Sequence, residues 1–124
     1  MMFELSQTFS FDAAHTLKRH VSPEEAAGSR RIHGHTYTAE VTVRGERQPE
    51  SGMVVDLAVL REVLAEIRSQ LDHHFLDEVA GLGAPTLENL SVFIHDHVQR
   101  RIPQVSSVAV SRAAGDRCVY RPQA

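Results

Sequence analysis

Apolar and polar residues alternate at the start of the chain: Phe3, Leu5, Phe9 and Phe11 share one parity, and Glu4, Ser6, Thr8 and Ser10 take the other. A two-residue period is that of a half-buried strand, and Gln7 is the one lapse on its apolar side. A second alternating run sets Tyr37, Ala39, Val41 and Val43 against Thr36, Thr38, Glu40, Thr42 and Arg44. It stops at Gly45, and Pro49 with Ser51-Gly52 marks the loop beyond. The period then changes. Leu57, Leu60, Leu64, Ile67 and Leu71 recur at helical spacing with Arg61, Glu62, Glu66 and Arg68 off that face, which predicts an amphipathic helix behind an Asp56 N-cap. Leu87, Leu90, Ile94 and Val98 predict a second helix from Thr86 to about Arg100. Pro85 stands before its start, Glu88 suits the positive end of its dipole, and Pro103 stops it. Two strands, Val105–Ser111 and Arg117–Tyr120, close the chain around an Ala114-Gly115-Asp116 turn.

Strand, strand, helix, helix, strand, strand is an α+β order, with an antiparallel sheet carrying both helices on one face. The 124 residues fit one domain, 1–124, with no internal repeat or low-complexity tract. A small four-stranded sheet leaves open edges that must be paired or covered, so a homo-oligomer that continues the sheet between subunits is expected. The connection from about Thr16 to Ile32 contains Pro23, Gly28 and several charges, and loops longer than ~12–15 residues in compact domains are often functional.

Composition narrows the function classes. A formal net charge of −3 and the lack of a basic patch with interleaved aromatics argue against nucleic acid as partner. No apolar run approaches the ~20 residues of a membrane span. The N-terminal stretch lacks the basic start and apolar block of a secretion signal, and a lone Cys118 cannot form an internal disulfide; a cytoplasmic setting is expected. The outlying number is the eight histidines.

His33 and His35 are two apart at the start of the second strand, so both imidazoles project to the face that carries Tyr37 and Val41. His15 ends the first strand region, and antiparallel pairing would bring it beside them. Three neutral histidines with an open fourth position form the pattern of a catalytic zinc, although strand His-x-His pairs also occur without any metal. Asp72-His73-His74 follows the first helix. It reads either as a general acid/base pair, the carboxylate fixing the tautomer, or as a polar helix end attracted by the dipole. His95 and His97 cannot share a helix face and read as surface residues, while His20 has no assignment.

Five segments stand in order along the chain: FDAAH (Phe11–His15), HGHTY (His33–Tyr37), GMVVDL (Gly52–Leu57), LDHHFLD (Leu71–Asp77) and PTLENL (Pro85–Leu90). Together they resemble the 6-pyruvoyl-tetrahydropterin synthase family and its bacterial branch, the 6-carboxytetrahydropterin synthases of queuosine biosynthesis. The resemblance covers nearly the whole chain. It implies the tunnelling fold, ββααββ, assembled into a barrel as a trimer or as two stacked trimers. It also implies Zn2+ held by His15, His33 and His35, and a pterin triphosphate as small-molecule substrate, converted with release of triphosphate. Asp72 and His73 would transfer protons, and Phe11 to Ala14 with Thr86 to Glu88 would line the substrate pocket.

Two positions depart from the family pattern. Ser29 stands where the usual proton-transfer cysteine precedes the HGH by four residues. A thiol near pKa ~8.5 can be tuned to a thiolate and a serine hydroxyl cannot, so a relay of Ser29, His73 and Asp72 would place the base at His73. Arg112 stands where the family carries a glutamate that accepts from the pterin edge. Arginine has donors only, so either another acid such as Asp116 takes over or the ligand is an anion. A family paralogue with altered substrate and a non-catalytic zinc- or ligand-binding protein are the alternatives.

Overall fold

The structure, a computed structural model, describes residues 1–16 and 31–122. Ser29 and His20 lie outside the described residues. β1 (Phe3–His15) and β2 (His33–Gly45) form a long antiparallel pair, followed by α1 (Leu57–Leu71), a 3₁₀ turn (Leu76–Glu78) and α2 (Leu87–Gln99). β3 (Val105–Arg112) and β4 (Arg117–Tyr120) complete a sheet of order β1-β2-β3-β4. The alternation anticipated both faces. Phe11, Ala13, Tyr37, Ala39, Val41, Val43, Val108 and Val110 form one buried cluster with the apolar stripes of both helices. On the other face, cross-strand hydroxyls pair, Ser6 with Thr42 at 2.9 Å and Ser10 with Thr38 at 3.2 Å.

Local signals place the elements. Asp56 caps α1 by accepting from the Ala58 N–H at 2.9 Å. Thr86 turns out to be the N-cap of α2, not its first residue, and accepts from the Asn89 N–H at 3.1 Å. Gly115, at φ +113°, allows the tight β3–β4 turn, in which the Arg112 N–H donates to the Asp116 carbonyl at 2.9 Å.

The 3₁₀ turn leaves no mark on the sequence, because three residues carry too little periodicity to register. The surface position expected for His95 is corrected: the residue is 2% exposed. The buried arc of α2 runs wider than its aliphatic stripe, because Ser91, Phe93 and His95 also face protein. His95 meets the Tyr120 ring edge-on at 5.1 Å.

The outer edge of β1 divides into two parts. From Ser10 to Thr16 it is covered by the end of α1 and the segment after it. No strand of the described residues covers Glu4 to Thr8.

Candidate functional site

The β1–β2 register pairs His15 with His33 and Ala13 with His35, so the three imidazoles gather on the core face at one end of the pair. Their ring centroids are 5.0 Å (His15–His35), 5.8 Å (His15–His33) and 6.4 Å (His33–His35) apart. His15 is 5% exposed, and its Nε2 has no hydrogen-bond partner among the described residues. Its Nδ1 lies 3.0 Å from the Thr16 carbonyl. A carbonyl only accepts, so Nδ1 carries the proton and, in the neutral ring, Nε2 keeps a bare lone pair. Burial, then the positive potential of His15, Arg112 and His33, holds His35 below the usual imidazole pKa.

Three imidazoles with one orphaned buried nitrogen suit a borderline-soft divalent cation. Among the described residues no His, Cys, Asp or Glu group of three stands as a finished coordination set. Tetrahedral ligation at about 2.0–2.1 Å puts ring centroids about 5 Å apart, so the His15–His35 spacing already matches. His33 is the outlier. It is exposed at the strand end.

Asp72 and His73 sit beside this cluster because the chain leaving α1 folds back along β1. The Asp12 N–H donates to Asp72 Oδ1 at 2.9 Å, and the His73 N–H donates to the Asp12 carbonyl at 2.6 Å. His73 Nδ1 and Arg68 Nη2 reach the other carboxylate oxygen of Asp72 at 2.9 and 3.1 Å. The Asp12 N–H, then the His73 ring, holds the Asp72 carboxyl below the usual carboxylate range. His73 has φ +58°, a left-handed conformation that costs a non-glycine residue about 1–2 kcal/mol. Strain of this kind concentrates at functional sites. Its side chain is 79% exposed.

Two cavities flank the histidines. One of about 490 Å³ is lined by Ala14, Gly34, His35 and His73 among others. The other, about 270 Å³, is lined by His15, Tyr37, Thr86, Glu88 and Arg112. Phe11 lines neither: it is 1% exposed and stacks on Tyr37 at 5.0 Å, so its expected place in a pocket wall is corrected to one in the core. Its odd parity on β1 already pointed inward. Arg112 Nη2 donates to Asp116 Oδ2 at 2.5 Å, and Arg112 Nε is buried with no partner among the described residues. Asp12 enters the sequence analysis only as part of the Phe11–Ala14 pocket stretch, and Thr16 and Asp77 have no assigned part in it. Asp12 and Asp77 lie within the quoted motifs, but neither has ligand spacing to mark it.

A family profile described as 6-pyruvoyl tetrahydropterin synthase matches residues 4–123. The chain is 32% identical to the 6-carboxy-5,6,7,8-tetrahydropterin synthase of Bacillus subtilis, over 98% of this chain and 86% of that protein. It is 37% identical to the human 6-pyruvoyl tetrahydrobiopterin synthase, over 81% and 77%. A dihydroneopterin monophosphate aldolase of Pyrococcus furiosus is 34% identical over 76% and 73%. The solved structure of Caenorhabditis elegans 6-pyruvoyl tetrahydropterin synthase superposes with a TM-score of 0.86 at 25% identity, covering 99% of this chain and 97% of that one. With the profile spanning nearly the whole chain and the fold superposing end to end, this protein belongs to the 6-pyruvoyl tetrahydropterin synthase family.

Proposed function

We propose that the chain is a zinc-dependent carbon–oxygen lyase. It takes dihydroneopterin triphosphate, releases triphosphate and forms a 6-substituted tetrahydropterin of the 6-carboxy type. The observation that carries this reading is the gathering of three imidazoles beside the Asp72–His73 pair. His15, His33 and His35 would hold the zinc, which when bound polarises the substrate's side-chain oxygens and eases removal of neighbouring protons.

The chain's own residues do the rest. Asp72 is kept ionised and accepts the His73 Nδ1–H, which leaves His73 Nε2 to take a proton from the substrate and return it. Ser29 occupies the cysteine position, and its hydroxyl stays protonated near neutral pH, so the proton work rests with His73. Ala14 shapes the larger cavity, and Thr86, Glu88 and Arg112 the smaller one, where the ring system would lie. A trimer or hexamer suits the open Glu4–Thr8 edge and the exposed His73, both of which a neighbouring chain would cover. The lone Cys118 suits the cytoplasm, and no described helix is long and apolar enough to cross a membrane.

A retuned substrate is the second reading, favoured by Arg112. Its guanidinium brings donors to a wall where an acceptor would meet a pterin edge, although Asp116 beside it returns one carboxylate. A carboxylate or phosphate would suit the donors better.

Turnover tests the proposal: zinc-loaded protein is given dihydroneopterin triphosphate, triphosphate release is followed, and the pterin product is identified by mass. Release with a defined tetrahydropterin is expected. No release from protein with zinc confirmed bound would overturn the pterin activity and leave an anionic ligand or a binding role.

A further inference from the structure

The segment that follows α1 does more than carry Asp72 and His73. It runs parallel to the end of β1 and grips it at alternate residues. Asp72 and the His73 N–H hold Asp12, the His74 carbonyl accepts from the Ala14 N–H at 3.2 Å, and Ala14 forms a parallel bridge with Phe75. The last grip is Asp77. Its Oδ1 accepts from the Thr16 N–H at 2.8 Å, and its Oδ2 accepts a short bond from the Thr16 hydroxyl.

Thr16 is the residue whose carbonyl takes the His15 Nδ1–H. We infer that Asp77 is a positioning residue for His15: by taking both Thr16 donors it fixes the carbonyl that sets the His15 tautomer and leaves Nε2 open toward His33 and His35. The inference rests on the metal reading proposed above for the value of an open Nε2. The two grips of the segment, Asp72 on Asp12 and Asp77 on Thr16, also tie the Asp72–His73 pair and the buried His15 to one strip of chain. Outer partners that orient a ligating histidine act through the tautomer and ring angle, and their loss costs about 10–100-fold in metal affinity.

Asp77→Ala, Asp77→Asn and Thr16→Val separate this role from mere packing. Zinc affinity is measured by competition with a chromophoric chelator, ligand geometry by the visible spectrum of the cobalt-substituted protein, and the His15 tautomer by ¹⁵N NMR of the metal-free protein. Circular dichroism reports the fold. Asp77→Ala is expected to bind zinc about 10–100-fold more weakly and to change the cobalt spectrum. Thr16→Val keeps the N–H bond and loses the hydroxyl, so about 5-fold weaker binding is expected. Asp77→Asn, which keeps an acceptor for the N–H, should fall between wild type and Asp77→Ala.

Folded Asp77→Ala with wild-type zinc affinity overturns the inference. If Asp77→Ala does not fold, wild-type affinity in both Thr16→Val and Asp77→Asn overturns it. A wild-type His15 protonated on Nε2 overturns it whatever the metal does. Wild-type protein that binds no zinc, yet shows an Nδ1–H tautomer lost in Asp77→Ala, would sink the metal reading and leave the positioning intact.

Discussion

His15 and His95 are both buried histidines, 5% and 2% exposed, and each leaves Nε2 without a partner among the described residues. Each also engages an oxygen through Nδ1, His15 the Thr16 carbonyl and His95 the Asp96 carboxylate, both at 3.0 Å. Their neighbours differ. Around His15 stand two more imidazoles with ring centroids within 5.8 Å, and a cavity opens beside it. Around His95 stand the edge of Tyr120 and the body of α2, and it lines none of the cavities described above. An orphaned nitrogen marks unspent bonding capacity in both places, and only convergent donors next to an open space turn that capacity into a candidate site. His95 is best read as a core residue that fills an aromatic-sized slot under β4.

The comparison breaks most sharply by truncating each histidine. His15→Ala or His35→Ala removes a donor outright, so zinc affinity should fall by more than the about 10–100-fold of an outer partner. His95→Ala should leave zinc binding unchanged and instead cost about 2–4 kcal/mol of stability through its cavity. Zinc competition and chemical denaturation read the two effects; weakened zinc binding in folded His95→Ala would erase the distinction.

His73 sharpens the contrast next, because it combines strain with exposure. His73→Gly relieves the left-handed backbone and should stabilise the fold by about 1 kcal/mol. The same change should lower kcat by about 10²–10⁴-fold, or roughly 3–5 kcal/mol of barrier, while zinc stays bound. Stabilisation with unchanged turnover would reduce His73 to a helix terminus.

The smallest effect belongs to Asp72. Its carboxyl titrates below the ordinary value in the folded chain, so its contribution to stability is complete above about pH 4. That contribution falls away as the pH drops through the folded-state pKa. Asp72→Asn should therefore be less stable than wild type at neutral pH, and acid-unfolding curves of the two should converge at the acid end. A stability gap that persists at low pH would mean that the bonds to Asp12 and Arg68 do not depend on the charge.

Much of this was legible along the chain, for identifiable reasons. The period of two in Phe3–Phe11 and Tyr37–Val43 and the helical stripes of Leu57–Leu71 and Leu87–Val98 follow from which face each residue must bury. The same parity put His33 and His35 on one face and aimed His15 at them, since an antiparallel pair brings one strand's end beside the next strand's start. Other features had no such signal. The burial of His95 depends on how far α2 turns toward β4, and a single polar residue at the margin of an apolar stripe does not report that angle. Phe11 belongs to the core by parity, and only the tertiary packing separates a pocket wall from the layer behind it.

What the sequence by itself determined, then, is the order and faces of the elements and the residue types able to bind a cation or move a proton, because periodicity and side-chain chemistry are local properties. Tertiary structure alone decided which of those groups meet. Asp72 lies 60 residues from Asp12, and Asp77 lies 61 residues from Thr16. Each pair is joined only because the chain leaving α1 doubles back along β1, and no local pattern in either segment encodes that return.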